Sequence, residues 1–410
     1  MTVLTSSDHV IVVGAGLAGF RFIEASRREG YEGAITLVGD EIFAPYDRPP
    51  LSKQILVGKW SEDRNALTDL ESLEALRVDV RLGSAATGLD LDTATVHLAD
   101  GRSVTGTHVV IATGTRARLL PFTASESLRT LRTRDDATRL LVDVAALEPA
   151  SPVVIIGGGF IGAEVATALH TRGLHPIVLE AGWRPLLHVL GSDVSEWLMA
   201  LPKALGIDLR CDQKIHDVVR ASDEGPLRVL FDDDEPLEAP VVVLGVGAQV
   251  NVEWLADSGL VIENGVVVDE HLLATPRVAA IGDVARFAWR NVTGVEQVRI
   301  EHWELANQHA LRLAQYWTLG TTPAELLVPY FWSDQYGKKL QMLGHAAPDD
   351  DVAMVKGSVD QGAWVAIYSR AGTVTGVVAL AQPRALVLSK QFLESLTTIE
   401  RALELAPWDS

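Results

Sequence analysis

The chain has 410 residues, 48% of them hydrophobic, which is too much for one ordinary core and implies two or three globular domains. With 35 Lys and Arg against 54 Asp and Glu the net charge is −19, which argues against a nucleic-acid partner because phosphate recognition needs a positive surface. The single cysteine, Cys211, excludes an internal disulfide and any thiolate zinc or iron–sulfur site built by this chain alone, and no metal is expected.

In chain order, short β-rich runs alternate with longer amphipathic stretches through the first 320 or so residues: "HVIVVG", "AITLVG", "HVVIATG", "PVVIIGG", "HPIVLE" and "PVVVLGVG". Such alternation predicts parallel sheets covered by helices. Two glycine fingerprints, beginning at Gly14 and Gly157, predict two copies of one βαβ architecture and hence two Rossmann-like domains. Beyond about residue 326, "YFWSDQYGKKLQMLG", "GAWVAIYSRAGTVTGVVAL" and "RALVLSKQFLESL" predict an antiparallel sheet with helices packed on it. The fold class is therefore α/β, with two Rossmann-like dinucleotide-binding domains and a C-terminal α+β domain.

In "VIVVGAGLAG" each glycine has a separate task. Gly14 permits a tight turn, Gly16 lets backbone approach a pyrophosphate, and Gly19 lets helix pack closely on strand, with the helix N-terminus facing the anion. The second strand of this unit ends at "GDE", where Asp40 and Glu41 are both available to a ribose hydroxyl.

The second fingerprint, "VVIIGGGFIGAEVATAL", repeats the pattern with Gly157, Gly159 and Gly162, and its second strand ends at Glu180. A carboxylate there accepts hydrogen bonds from an adenosine ribose diol and repels a 2′-phosphate, so NADH is expected over NADPH. Arg184 tempers this, because a cation so placed covers an adenine face or tolerates a phosphate. Two such sites imply that one holds a tightly bound flavin while the other exchanges a nicotinamide.

No run reaches the ~18 apolar residues of a membrane span, and "MTVLTSSDH" lacks a basic segment followed by an apolar one, so a cytoplasmic location is expected. The acidic clusters "DDDE" (residues 232–235) and "PDDD" (residues 348–351) are read as solvated turns.

The motifs "LVGDEIFAPYDRPPLSK", "IATGTRAR", "LRTRDDA", "GGGFIGAEVA", "LEAGWRPLLHVLG", "AAIGDVA" and "FWSDQYGKKLQMLG" extend across nearly the whole chain. Together they resemble the FAD-dependent, NADH-using ferredoxin reductases that serve bacterial oxygenases. The resemblance implies a glutathione-reductase-like architecture, with an FAD domain from residues 1–117 and 246–325, an NAD domain over 118–245, and a C-terminal interface domain over 326–410. It also implies individual contacts. Asp40 meets the FAD adenosine ribose, Ala86 holds the adenine through its backbone, and Thr113 and Gly114 pass beside the cofactor. Arg132, Asp283 and the backbone of Trp303 also touch FAD; Gly245 and Gly247 belong to the nucleotide site.

Lys53, which follows two prolines in "PPLSK", is expected to reach the isoalloxazine. Glu164 is read two ways: as an acid favouring its helix N-terminus, or, from the resemblance, as a catalytic partner of Lys53 near the nicotinamide. Asp283 is read as a helix cap, a ribityl ligand, or both. Trp332 is either domain core or close to the flavin face or the electron exit. The helix expected over 299–317 departs from the family at Leu305, where Asn is usual, so a polar contact is expected to be lost or supplied by His302 or Asn307.

The implied function is hydride transfer from NADH to FAD, then single-electron transfer to a 2Fe-2S ferredoxin feeding a haem-thiolate monooxygenase or a Rieske dioxygenase. An acidic reductase meeting an acidic ferredoxin needs a local basic patch, for which Lys338, Lys339, Arg290 and Arg312 are the candidates, though each alone reads equally as ordinary surface charge. The alternatives are a NADH-binding flavoprotein of the apoptosis-inducing-factor type, a flavin monooxygenase, or another NADH-dependent flavin oxidoreductase such as rubredoxin reductase. A coenzyme A disulfide or peroxide reductase would need a redox cysteine near residues 40–50, where there is none.

Overall fold

The computed structural model describes residues 3–220, 222, 225–291, 294–322, 327–347 and 350–409, the side chains of 290 and 291 excepted. The chain divides into two compact units: Met1–Asp47, Asn65–Arg116 and Val250–Phe331 form the first, and Arg48–Arg64, Ala117–Gln249 and Trp332–Ser410 the second.

The first unit is built on a six-stranded sheet in the order Leu273–Thr275, Val278–Ala280, His108–Ile111, His9–Val13, Ala34–Val38, Val78–Arg81. All neighbours are parallel except the outermost pair, Leu273–Thr275 with Val278–Ala280. The central strands are almost uninterrupted Val and Ile because both faces are covered. One covering helix, Leu17–Arg28, follows the first fingerprint and buries Phe22 and Ile23. Another, Trp303–Leu319, brings fully buried Trp317 edge-on to Phe22, with ring centroids 5.9 Å apart. Each such side chain contributes about 1.5–3 kcal/mol by leaving water.

The second unit repeats the arrangement with four parallel strands in the order Asp208–Arg210, His175–Leu179, Pro152–Ile156, Val241–Leu244. The helix Phe160–Thr171 follows the second fingerprint. The C-terminal sheet has the order Tyr330–Gln335, Lys338–Gly344, Thr373–Leu380, Ala363–Arg370, Asp351–Ser358. Its last three pairings are antiparallel, as the alternating pattern predicts. The helix Pro383–Glu394 buries Leu386, Ser389 and Phe392, spaced for one helix face.

One acidic cluster departs from expectation. Residues 232–235 form an exposed turn, but the Asp350 side chain is fully buried, 2.6 Å from Arg370. It also accepts from Thr375 Oγ1 at 2.9 Å and the Ala347 N–H at 3.0 Å. A buried carboxylate is tolerable only with such partners, and two of them come from strands a sequence motif does not reveal. Residues 348 and 349 lie outside the described residues.

Candidate active site: two glycine cradles and a buried lysine–glutamate pair

The two fingerprints have the same steric design. A Cβ on Gly14 would lie 2.2 Å from the Ala112 carbonyl oxygen, and one on Gly19 would lie 2.1 Å from that of Gly14. In the second unit a Cβ on Gly157 would meet the Gly245 oxygen at 2.4 Å, and one on Gly162 the Gly157 oxygen at 1.9 Å. Gly14 and Gly157 also adopt φ of 122° and 107°, which L side chains rarely adopt. By contrast, a Cβ on Gly16 would have nothing within 4 Å. At Gly159 the nearest atom would be the Gly245 oxygen at 4.0 Å. The middle glycine of each turn therefore leaves room for a ligand rather than for the fold.

The helix starts agree. Neither Leu17–Arg28 nor Phe160–Thr171 has a side-chain cap or an acidic residue in its first turn. The helix Arg134–Ala145, which has no cradle, carries a full capping box from Thr133 and Asp136. Uncapped, acid-free N-termini beside an open glycine suit a pyrophosphate, whose charge meets the free N–H groups and the positive end of the helix dipole. Both cradles thus fit a dinucleotide.

The carboxylates that follow differ. Asp40 is exposed and accepts only locally, from the Glu41 N–H at 3.0 Å. Glu41 accepts from the Tyr46 hydroxyl at 2.6 Å, which distinguishes it from Asp40. Glu180 is anchored, with one oxygen accepting from the Gly158 N–H and the other from the Gly182 N–H, each at 2.8 Å. Cys211 lies close by, and burial first, then Glu180 and Asp212, push its thiol up. It is a neutral thiol rather than a reactive thiolate.

Lys53 and Glu164 are paired at 2.6 Å, their side chains only 12% and 3% exposed. Pro49 and Pro50 open the short helix Pro49–Ser52 that delivers Lys53. Glu164 stands in the second turn of its helix and is no N-terminal acid, which disposes of the dipole reading. Its other partners were not foreseen: the Ser52 hydroxyl donates at 2.5 Å, Ser333 at 2.7 Å and the Asp334 N–H at 3.3 Å. Ser52 lies within the "PPLSK" motif, but nothing local marks Ser333 as a partner. With four donors the buried carboxylate is held in one place, and the ammonium is fixed with it.

The remaining expected residues are placed as follows. Thr113 and Gly114 are fixed by Asn251, which exchanges three hydrogen bonds of 2.8–3.0 Å with them. Ala86 begins the strand Ala86–Asp90, opposite Leu98. Arg132 receives the Arg48 guanidinium on its carbonyl at 2.7 Å and donates its N–H to Asp136 at 2.9 Å. Asp283 lies in the turn Gly282–Val284, its carbonyl accepting from Arg299 at 3.2 Å. Gly247 accepts from the Arg118 N–H at 3.0 Å.

The helix expected over 299–317 begins only at Trp303 and runs to Leu319. Trp303 donates from its indole to Asp47 at 2.6 Å. Leu305 is buried in the core, and Asn307 donates to the Trp303 carbonyl at 2.9 Å. Fully buried His309 accepts from the Gly282 N–H at 3.3 Å, and burial lowers its pKa to about 3.

Trp332 lies on the partly buried side of its strand, opposite to buried Phe331 and Ser333. Lys339 pairs with Asp334 at 2.7 Å and lies 6.0 Å from the Trp332 ring. Lys338 and Arg312 are partly buried, and the Arg290 side chain lies outside the described residues.

Residues 8–310 match the family described as pyridine nucleotide-disulphide oxidoreductase, and residues 330–407 match a domain described as reductase C-terminal. The chain belongs to the pyridine nucleotide-disulphide oxidoreductase family. Within this oxidoreductase family it is 36% identical over 389 residues to rhodocoxin reductase of Rhodococcus erythropolis, covering 94% of this chain and 89% of that one. It is 33% identical over 399 residues to the ferredoxin reductase component of a chlorobenzene dioxygenase from Cupriavidus, covering 97% and 95%. The crystal structure of a covalent putidaredoxin reductase–putidaredoxin complex matches with a TM-score of 0.92 at 31% identity, covering 99% of this chain and 98% of that one. These relatives accord with the expected ferredoxin reductase, with its FAD and NAD(H). Although the family name includes disulphide, this chain has only Cys211. No described helix is long and apolar enough to cross a membrane.

Proposed function

We propose that this protein is an FAD-dependent NADH:ferredoxin reductase supplying an oxygenase, of the haem-thiolate or the Rieske type, through a 2Fe-2S ferredoxin. The observation that carries the reading is the doubled glycine cradle in a chain with a single, neutral thiol. Two nucleotides imply transfer between them, and without a disulfide the electrons must leave to another molecule. Bound FAD supplies what side chains lack, accepting a hydride from NADH and releasing its two electrons one at a time.

The chain's own residues bind and align. Gly14, Gly16 and Gly19 receive the FAD pyrophosphate, Asp40 its ribose, and Ala86, Thr113, Gly114, Arg132, Asp283 and Trp303 the rest of the cofactor. Gly157, Gly159, Gly162, Gly245 and Gly247 cradle NADH, whose adenosine ribose takes the free lone pairs of Glu180. Lys53 and Glu164, locked by Ser52 and Ser333, set the position of the nicotinamide; hydride transfer needs alignment more than a proton donor. The FAD domain is assigned to 1–117 and 246–325, the NAD domain to 118–245 and the C-terminal domain to 326–410. Lys338, Lys339, Arg290 and Arg312 are assigned to ferredoxin docking. Asp334 already takes part of the Lys339 charge, so Lys338 is the stronger candidate of the hairpin pair.

The test is NADH oxidation, followed anaerobically with cytochrome c as final acceptor, with and without an added 2Fe-2S ferredoxin. Turnover that depends on the ferredoxin is expected. Equal turnover without it would favour a self-contained flavin oxidoreductase, and slow turnover in both cases a NADH-binding flavoprotein of the apoptosis-inducing-factor type.

A further inference from the structure

The turn after Glu180 carries an arginine of the type that attracts phosphate groups. Yet the Arg184 guanidinium is already engaged. Its Cζ lies 4.1 Å from the centre of the Trp183 ring. Nη1 donates to the carbonyl and the hydroxyl of Ser192, both at 3.2 Å, and Nη2 pairs with Glu196. Ser192 and Glu196 lie four residues apart beyond the break at Gly191 in the helix Leu187–Leu198, hence on one face of its second segment. On the neighbouring strand Arg210, whose carbonyl accepts from the Glu180 N–H at 2.8 Å, is likewise held by Asp208 at 2.7 Å. Each arginine next to the ribose-binding carboxylate therefore has a carboxylate of its own.

We propose that Glu196 determines the nucleotide preference by sequestering Arg184, so that the 2′-phosphate of NADPH meets Glu180 without a free guanidinium to offset the repulsion. The proposal rests on reading the second cradle as the NADH site. The two acids have different standing. Glu180 is tied to the cradle by two backbone N–H groups, so its loss disturbs the turn itself. Glu196 is 55% exposed and belongs to a surface pair, whose loss leaves the fold intact. Glu196 is thus a positioning residue acting through Arg184.

The experiment compares wild type, Glu196→Gln and the double variant Glu196→Gln/Arg184→Ala, titrated with ADP and with 2′,5′-ADP by calorimetry and assayed with NADH and NADPH. Glu196→Gln is expected to bind 2′,5′-ADP about threefold to fivefold more tightly, the most that releasing a surface ion pair allows, with ADP affinity unchanged. Catalytic efficiency with NADPH rises in parallel, and the double variant loses the gain. An unchanged ratio of the two affinities in Glu196→Gln, or a gain that survives loss of Arg184, overturns the proposal. If ADP binds none of the three proteins, the reading of the cradle as a nucleotide site falls, and the proposal with it.

Discussion

The two fingerprint turns are near copies in backbone and unlike in their acids. Gly14 and Gly19 in the first unit repeat Gly157 and Gly162 in the second: at each of the four a Cβ would fall about 2 Å from a backbone carbonyl oxygen. After that the designs part. Asp40 stands exposed on a local contact, whereas Glu180, one methylene longer, reaches back to the loop and binds it. On the proposed function the cradle is the shared device for pyrophosphate, and the acid beyond it is where the two turns visibly differ.

The largest effects are expected from closing one cradle at a time. Gly19→Ala forces a Cβ into the Gly14 carbonyl and should yield protein without flavin, seen as loss of visible absorbance; Gly162→Ala should keep the flavin but slow its reduction by NADH at least about a hundredfold in stopped flow. If either change removes both nucleotides, the cradles are not independent.

Next comes the buried pair. Glu164→Ala strands the Lys53 ammonium and should cost about 3–5 kcal/mol in denaturant unfolding. Glu164→Gln keeps the shape and should lower the flavin reduction rate about tenfold to a hundredfold, with NADH affinity little changed. A normal rate in Glu164→Gln would leave the pair a structural one.

Acid should separate the units. His9, His108 and His309, all in the first, have pKa values lowered first of all by burial, to about 3 for His309. A base with a depressed folded pKa stabilises fully above its unfolded value near 6.5, and that stability is lost as pH falls toward the folded value. His309 alone should make unfolding progressively easier as pH falls below ~6. Flavin release should therefore steepen below that pH, and His309→Gln should flatten the profile; an unaltered profile would absolve this histidine. The smallest effect belongs to Cys211→Ser, which should leave ferredoxin-linked cytochrome c reduction unchanged.

Much of this was legible in the sequence because it is local. The strands, both fingerprints, Glu180 and the absence of a second cysteine are all short-range or compositional signals. Lys53 and Glu164, 111 residues apart, were joined only through a family resemblance. Ser333, Asn251 and the Glu196–Arg184 pair were missed because their meaning depends on register and helix phase, which no neighbouring residue encodes. Asp350 was misread for the same reason: an acidic run looks like a solvated turn until Arg370 is brought against it.

The most direct measurement is the nucleotide released on denaturing protein freshly purified by gel filtration, together with the visible spectrum before and after anaerobic NADH. One FAD per chain, no retained NAD, and a flavin band bleached by NADH is the predicted result. A chain that carries no flavin even after incubation with FAD, or a flavin band indifferent to NADH, would contradict it.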